Sequence, residues 1–397
     1  MSVGLPRIRA TALRTASFAL AALLLVAGCS SMPSLNPIDW FKSKPDGPKP
    51  AALPPMSNPQ PVRTLWSANV GPAGIFIFSP AVTGDSIFAA ARDGTVTRLE
   101  AATGKVVWKV SAGTLLSGGV GTDGKLVAVG TDKGEVIVLD ADKGTLRWRA
   151  RVSSEVLAAP KVSRGVVLAR TSDSRIFAFE ALDGKRKWVY QRAAASLIVR
   201  SPAGMTIQDG NIFAGFSGGK MVSLQLETGA LRWEVTVSQP KGSTELERVS
   251  DLSGDPAVIG REVCAASYQG RAACYEWQSG NQVWAREMST LNGMSVDPRY
   301  AYVADEKGAV HSLDRSNGRS VWKQDRLAYR ELTLALAVGS EVVFGDLEGI
   351  VHFVARDSGA FVARAATDGS KIRAAPVKLP NGILVQTLNG GLFLLSL

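Results

Sequence analysis

The residues of this 397-residue chain whose types and spacing bear on chemistry are few: three cysteines, two histidines and a recurring carboxylate. Cys264 and Cys274 flank the turn "SYQGR". On adjacent strands in an oxidising compartment, two such thiols can form a cross-strand disulfide. Register decides the matter: a two-residue turn makes Cys264 face Tyr275 and sends the sulfurs to opposite sides, leaving two small buried thiols. His311 and His352 hold equivalent places, each three residues after a turn glycine, where the alternatives are a metal pair and ordinary packing. Thr97 and Ile137 fill the same slot elsewhere, so it is a strand position open to many residue types. Six residues after the turn glycine an acid recurs, at Glu100, Asp140, Glu180, Glu276 and Asp314, spaced to accept bonds from turn amides. No Cys/His ligand spacing, glycine-rich phosphate loop, nucleophile elbow or H-E-x-x-H motif is present. The chain therefore reads as non-enzymatic, with no catalytic, cofactor-binding or metal-binding residue assigned.

These residues sit in a repeat. From one glycine, a second lies ten residues on and a tryptophan fourteen: Gly94, Gly104, Trp108; Gly134, Gly144, Trp148; Gly219, Gly229, Trp233; Gly270, Gly280, Trp284; Gly308, Gly318, Trp322. Two copies bend the rule, with Ser174 before Gly184 and Trp188, and with Ala363 after Gly349 and Gly359. Each copy, as in "KLVAVGTDKGEVIVLDADKGTLRWRA", is a meander of short strands whose glycines stand where the backbone reverses. An upstream strand makes four strands in roughly 40 residues, the size of a propeller blade. Apolar residues of both parities require cover on both sheet faces, which neighbouring blades supply. A tryptophan at one place in nearly every blade reads as a wedge between neighbours. "PVRTLWSANV" carries Trp66 with no strands before it, and "APVKLPNGILVQTLNGGLFLLSL" ends after three strands. Together they complete an eighth blade. The expected fold is all-β, an eight-bladed β-propeller of four-stranded antiparallel blades over 62–397, closed by the N-terminal strand.

The N-terminus is of another kind. Arg7, Arg9 and Arg14 precede "ASFALAALLLVAG", which ends at Cys29. This has the form of a secretory signal over 1–28, and "VAGC" resembles a bacterial lipoprotein cleavage box, in which Cys29 is lipidated and becomes the mature N-terminus. Ser30, not Asp, follows it, which by the sorting rule for such lipoproteins implies the outer membrane, on its periplasmic face. Residues 29–61 are rich in Pro, Ser and Lys and read as an unpacked tether, interrupted by Trp40 and Phe41. Losing the signal removes three arginines and no acid, so the formal charge falls from +10 to +7. That excess is spread out with no dense basic run, which argues against nucleic acid and suits an anionic membrane or acidic partner.

The repeat is violated in one region. The Trp-to-Trp interval lengthens to 45 residues at Trp233 and to 51 at Trp284. Both additions follow an outer strand, within "VYQRAAASLIVRSPAG" and "EVTVSQPKGSTELERVSDLSGDPAV", so both emerge on one face as neighbours. They carry Leu197, Ile198, Val199 and Arg200, then Glu245, Glu247, Arg248 and Asp251. Aliphatics rimmed by charge suit a protein partner.

Repeats such as "LDADKGTLRW" and "LQLETGALRW" resemble the quinoprotein-type propeller repeat across Pro61 to Leu397. With the lipoprotein box, the Pro-rich tether and the loop "GSTELERVSD", the chain resembles the BamB family of outer-membrane β-barrel assembly lipoproteins. The resemblance implies a scaffold that binds the periplasmic POTRA domains of BamA, with unfolded outer-membrane proteins at its strand edges as a second class of partner. By motif, Leu197, Val199 and Arg200 match the family's first contact loop and Asp251 its second. Where the family often has a further acid after that aspartate, this chain has Ser253, with Asp255 beyond. The rival reading is a periplasmic dehydrogenase with pyrroloquinoline quinone and calcium on the propeller axis. Such enzymes generally carry long insertions and often a vicinal cysteine pair, neither of which this chain has.

Overall fold

Short apolar strands joined by tight turns must find cover for two faces, and here they find it in a ring. The computed structural model describes residues 1–2, 48–193, 197 and 202–397. Its 32 strands form eight four-stranded antiparallel sheets. Blades 1 to 7 follow the chain over 81–111, 118–151, 161–191, 205–236, 252–287, 294–324 and 336–366. Blade 8 joins Val377–Leu379, Gly382–Gln386 and Gly391–Ser396 to the N-terminal strand Arg63–Asn69, with Trp66 opposite Leu394. This is the closure that the two half-blades of the sequence predict. Middle strands such as Asn211–Phe216 are buried on both faces, whereas the outer strand Leu146–Arg151 alternates and buries Trp148.

Seven seams are closed in the same way. A bulge one residue before the tryptophan turns the indole out of its own sheet. Its Nε1 then donates to a main-chain carbonyl of the next blade: Trp66 to Ala101, Trp108 to Ala141, Trp148 to Ala181, Trp188 to Leu226, Trp233 to Trp277, Trp284 to Arg315 and Trp322 to Arg356, at 2.6–3.1 Å. Three residues beyond each acceptor lies the second glycine of the repeat, and the ring rests on it. A Cβ at Gly184 would stand 2.6 Å from the Trp148 indole, and Gly184 also has φ +73°. The sequence pattern explains that glycine by its turn alone. The structure adds that it is the landing site of the preceding blade's wedge.

The cysteines correct one alternative. The turn in blade 5 has three residues, Tyr268, Gln269 and Gly270, so Cys264 faces Cys274 and not Tyr275. The two are joined in a disulfide with Cα atoms 4.0 Å apart. Gln269, at φ 48°, takes a left-handed position here, as Gly218 does in blade 4, while Gly270 does not. Gly270 is required for space instead, since a Cβ would meet Ser238 Oγ at 2.0 Å. Of the recurring acids, Asp140 and Asp314 accept from turn amides as expected, while Glu180 pairs with Lys187 instead. Asp140 Oδ1 accepts from the amides of Asp142 and Lys143 at 3.0 and 2.8 Å. The Lys143 amide and then Arg147 hold its carboxyl below the usual range. Glu100 and Glu276 accept from the hydroxyls of Thr103 and Ser279.

The expected tether differs at its C-terminal end. Residues 51–60 lie against blade 7: the Ala51 amide donates to Ala328 O and the Gln60 amide to Val362 O, both at 2.9 Å, and Pro54 is buried. Proline-rich composition implies few donors, but every carbonyl remains an acceptor. Arg330, in the connection before blade 7, and Arg364, on the blade's outer strand, supply the missing donors. Cys29, Trp40 and Phe41 lie outside the described residues.

Candidate partner-binding surface

Each connection from an outer strand to the next inner strand leaves on the same face, and two neighbours among them are long: 192–204 between blades 3 and 4, and 237–251 between blades 4 and 5. On the first, Leu197 is 43% exposed. Ile198, Val199 and Arg200 lie outside the described residues.

The second loop is shaped by a reciprocal cap. Glu247 N donates to Thr244 Oγ1 at 3.2 Å, while Glu247 Oε2 accepts from the amides of Ser243 and Thr244 at 2.7 and 3.1 Å. This is the capping-box logic applied to a single turn, written in the sequence as Thr244-Glu-Leu-Glu247. The Thr244 and Ser243 amides hold the Glu247 carboxyl below its ordinary value. Arg248 Nε donates to Gly242 O at 3.1 Å and its side chain stays exposed. Gln269, in the amide orientation that satisfies both of its atoms, donates to the carbonyls of Leu246, Glu247 and Val249 and braces the turn from below. At the crest stands Leu246, 72% exposed, with Glu245 exposed beside it. Sequence reasoning passed over Leu246; an apolar residue inside a charged, capped turn is the signal that finds it.

Asp251 points the other way. It is 7% exposed, with Oδ1 accepting from Gly218 N at 3.3 Å and its carbonyl accepting from Tyr268 N at 2.9 Å. Its carboxylate ties the end of the second loop to blade 4. Ser253 is also buried, its hydroxyl donating to Thr290 O at 2.9 Å. Asp255 lies in a bulge of the strand Leu252–Ile259 that breaks pairing between Ser253 and Ala257. From there Oδ1 accepts from Gly204 N at 2.9 Å and Oδ2 from Lys161 Nζ at 2.7 Å. Thr206 Oγ1 donates to Pro256 O at 2.5 Å. Arg170 Nη1 reaches Gly204 O at 3.1 Å and its guanidinium covers the Phe216 ring at 4.8 Å. Burial pulls the Arg170 pKa down to about 10 against Asp255 and then Asp251, so the group stays charged. The roots of both loops are thereby joined through blades 3, 4 and 5, and a surface held at its base needs less ordering on binding.

The histidines do not form a metal pair. His311 Nε2 meets Asp305 Oδ2 and His352 Nε2 meets Asp346 Oδ2, each at 2.9 Å and each within its own blade. Among the described residues the one group with three potential ligands is Glu262, Cys264 and Cys274, and its sulfurs are bonded to each other. His352 is fully buried, and its Nδ1 accepts from Arg364 Nε at 3.3 Å. The ring is therefore neutral, with its proton on Nε2. Burial first, and the Arg364 and Arg330 charges with it, keep its pKa below the ordinary value despite Asp346. An unfolded histidine takes up a proton near pH 6.5, while the folded one resists. Stability from this site is therefore complete above about pH 6.5 and declines as pH falls below it. We expect a melting temperature that drops between pH 7 and 5, and a shallower drop in His352→Gln; equal slopes by scanning calorimetry would contradict this.

The family profile described as outer membrane protein assembly factor BamB matches residues 63–114 and 92–324. The chain is 41% identical over 374 residues to outer membrane protein assembly factor BamB of Bordetella pertussis, covering 94% of each. With the protein of that description from Escherichia coli it shares 33% over 384 residues, covering 93% of this chain and 98% of the other. The crystal structure of BamB from Moraxella catarrhalis superposes with a TM-score of 0.78 at 26% identity, covering 85% of this chain and all of that one. Quinohemoprotein alcohol dehydrogenase from Comamonas testosteroni reaches a TM-score of 0.66 at 14% identity over 84% of this chain and 76% of its own, a likeness of fold alone.

Proposed function

This chain belongs to the outer membrane protein assembly factor BamB family, and from that premise we propose that it is a lipid-anchored scaffold that docks on the POTRA domains of BamA through its two long loops. Family membership makes it an outer-membrane assembly factor of the β-barrel assembly complex, and not an enzyme. The dehydrogenase alternative has only the shared propeller fold in its favour. Cys29 is the acyl acceptor in this reading, holding the chain at the periplasmic face of the outer membrane, and unfolded barrel precursors are a further class of partner for its strand edges.

One observation carries the docking proposal. Two adjacent connections, on one face of the wheel, are the longest of their kind and share a braced base. Extra length of this kind is where recognition usually resides. Leu197 and Leu246 offer apolar area; Glu245 and Arg248 offer charge; Val199 and Arg200 complete the first loop's set. Asp251 and Glu247 act from within, by holding the second loop in shape.

Burying one leucine contributes about 1.5–3 kcal/mol, roughly a factor of ten or more in capture. Leu197→Glu and Arg200→Glu should therefore each cut co-purification of BamA from solubilised membranes at least that far, without changing the melting temperature. Undiminished capture by both variants rejects the docking site.

A further inference from the structure

The seam between blades 7 and 8 is built unlike the others. Its outer strand carries Ala363, fully buried, where the preceding blades carry tryptophan. An indole there would have no landing site. In blade 8 the outer strand beside Gly391–Ser396 is Arg63–Asn69, from the other end of the sheet order, so no turn joins the two to present a carbonyl and a glycine.

Something else occupies the rim. Val62, like Val362 and Phe393, packs against the buried cluster that contains Ala363 and, from blade 8, Ile383, Val385 and Leu395. Ahead of it, Pro54 is buried, and its carbonyl accepts from Arg364 Nη1 at 2.8 Å. The Ala51 carbonyl accepts from Arg330 Nη1 at 2.9 Å. Neither arginine is a loose surface group. Arg330 is 2% exposed, with Nε on Asp346 Oδ2 at 2.7 Å and Nη2 paired with Glu348. Arg364 lies over the Phe361 ring at 4.9 Å and donates to His352. Two guanidiniums held this way aim N–H groups at main-chain carbonyls three residues apart. An extended segment rich in proline, poor in donors and rich in free carbonyls, is the ligand such a site fits.

We infer that blade 7 and the connection that precedes it carry a peptide-binding site whose resident ligand is the chain's own Ala51–Gln60, a strap laid beside the seam that lacks an indole. The strap begins at the connection 325–335 between blades 6 and 7, where Ala51 N meets Ala328 O, and ends on the outer strand Phe361–Ala366, where Gln60 N meets Val362 O. That connection joins an outer strand to the next inner strand, so it emerges on the face that bears the two long loops. The chain departs three seams round from the first long loop and two from the second. If Cys29 bears the lipid, as the functional reading holds, the stretch from Ser30 to Lys49 reaches at most about 70 Å, against about 110 Å for Ser30 to Pro61.

Hydrogen exchange on the full chain tests the site, in the wild type and in Cys29→Ala, so that the answer does not depend on the lipid. The amides of Ala51 and Gln60 should exchange at least tenfold more slowly than in a free peptide of residues 48–61. Arg364→Met should return them most of the way to the free rate, while amides at the Trp148 seam stay protected and show that the wheel is intact. Free-peptide exchange in the wild type overturns the proposal. So does full protection that survives Arg364→Met.

Discussion

Gly184→Ala is expected to destabilise the wheel by about 3–5 kcal/mol, several times what a glycine turn ordinarily loses. Two costs combine. An alanine at φ +73° pays roughly 1–2 kcal/mol for the left-handed backbone. The added carbon then meets the Trp148 ring at 2.6 Å, so the indole must leave its seat and loosen its bond to Ala181 O. Removing the ring outright, in Trp148→Ala, costs a comparable 3–5 kcal/mol by vacating a buried aromatic site. Gly165 separates the two costs, for it has φ +78° and nothing within 4 Å of where a Cβ would stand. Gly165→Ala should therefore show the backbone cost alone, about 1–2 kcal/mol. Urea unfolding of the three single variants and of the Gly184→Ala/Trp148→Ala double variant measures the coupling. The double should cost clearly less than the sum of its parts. If Gly184→Ala proves no worse than Gly165→Ala, the glycine is only a turn.

The second large effect concerns Asp346. Both of its oxygens are saturated: Oδ1 accepts from the amides of Glu348 and Ile350 at 2.9 Å, and Oδ2 from Arg330 Nε and His352 Nε2 at 2.7 and 2.9 Å. The carboxylate and imidazole are wholly buried and the arginine almost so. Burial raises the carboxyl's pKa, but the bonds from His352, Ile350 and Arg330 outweigh it and the net shift is downward. Asp346→Ala strips the buried one of two counter-charges from the Arg330 guanidinium, leaving only the half-exposed Glu348, and leaves two turn amides without acceptors. Breaking such a pair from one side costs about 3–5 kcal/mol. Lys161→Met, which removes a pair whose side chains are about a third exposed, should cost no more than about 1 kcal/mol. Denaturant midpoints for the two variants rank them, and a loss near that of Lys161→Met would show that Asp346 is dispensable.

Blade number and ring closure were legible because the glycine and tryptophan anchors recur at fixed offsets and the two chain ends carry complementary fragments of one blade. What the tryptophans land on was not, since a glycine with two reasons to be glycine looks the same as one with a single reason. The cysteine register was within reach. Ala90 pairs with Val96, symmetric about the residue before Gly94. The same rule centred on Gln269, before Gly270, puts Cys264 opposite Cys274. A generic two-residue hairpin hid an answer that the repeat itself contained. The long loops showed in their length, but the inward turn of Asp251 depends on the Gly218 amide of another blade. Residues 51–60 look unpacked by composition because their binding partners, Arg330 and Arg364, lie about 280 and 310 positions away.

The blade shared between the two ends of the chain sets an order of events during export. The first strand to be delivered has no mate until the last arrives; Asn69 and Asn389, which are bonded in the finished wheel, are 320 positions apart. At a synthesis rate of about 5–20 residues per second, that is a wait of roughly 15–60 s. Throughout it the growing crescent shows an uncovered apolar sheet face at its advancing tip, a feature prone to sticking to its neighbours. If the chain is exported as the functional reading holds, its secretion should be most sensitive to loss of periplasmic holdases just before its final twenty residues emerge.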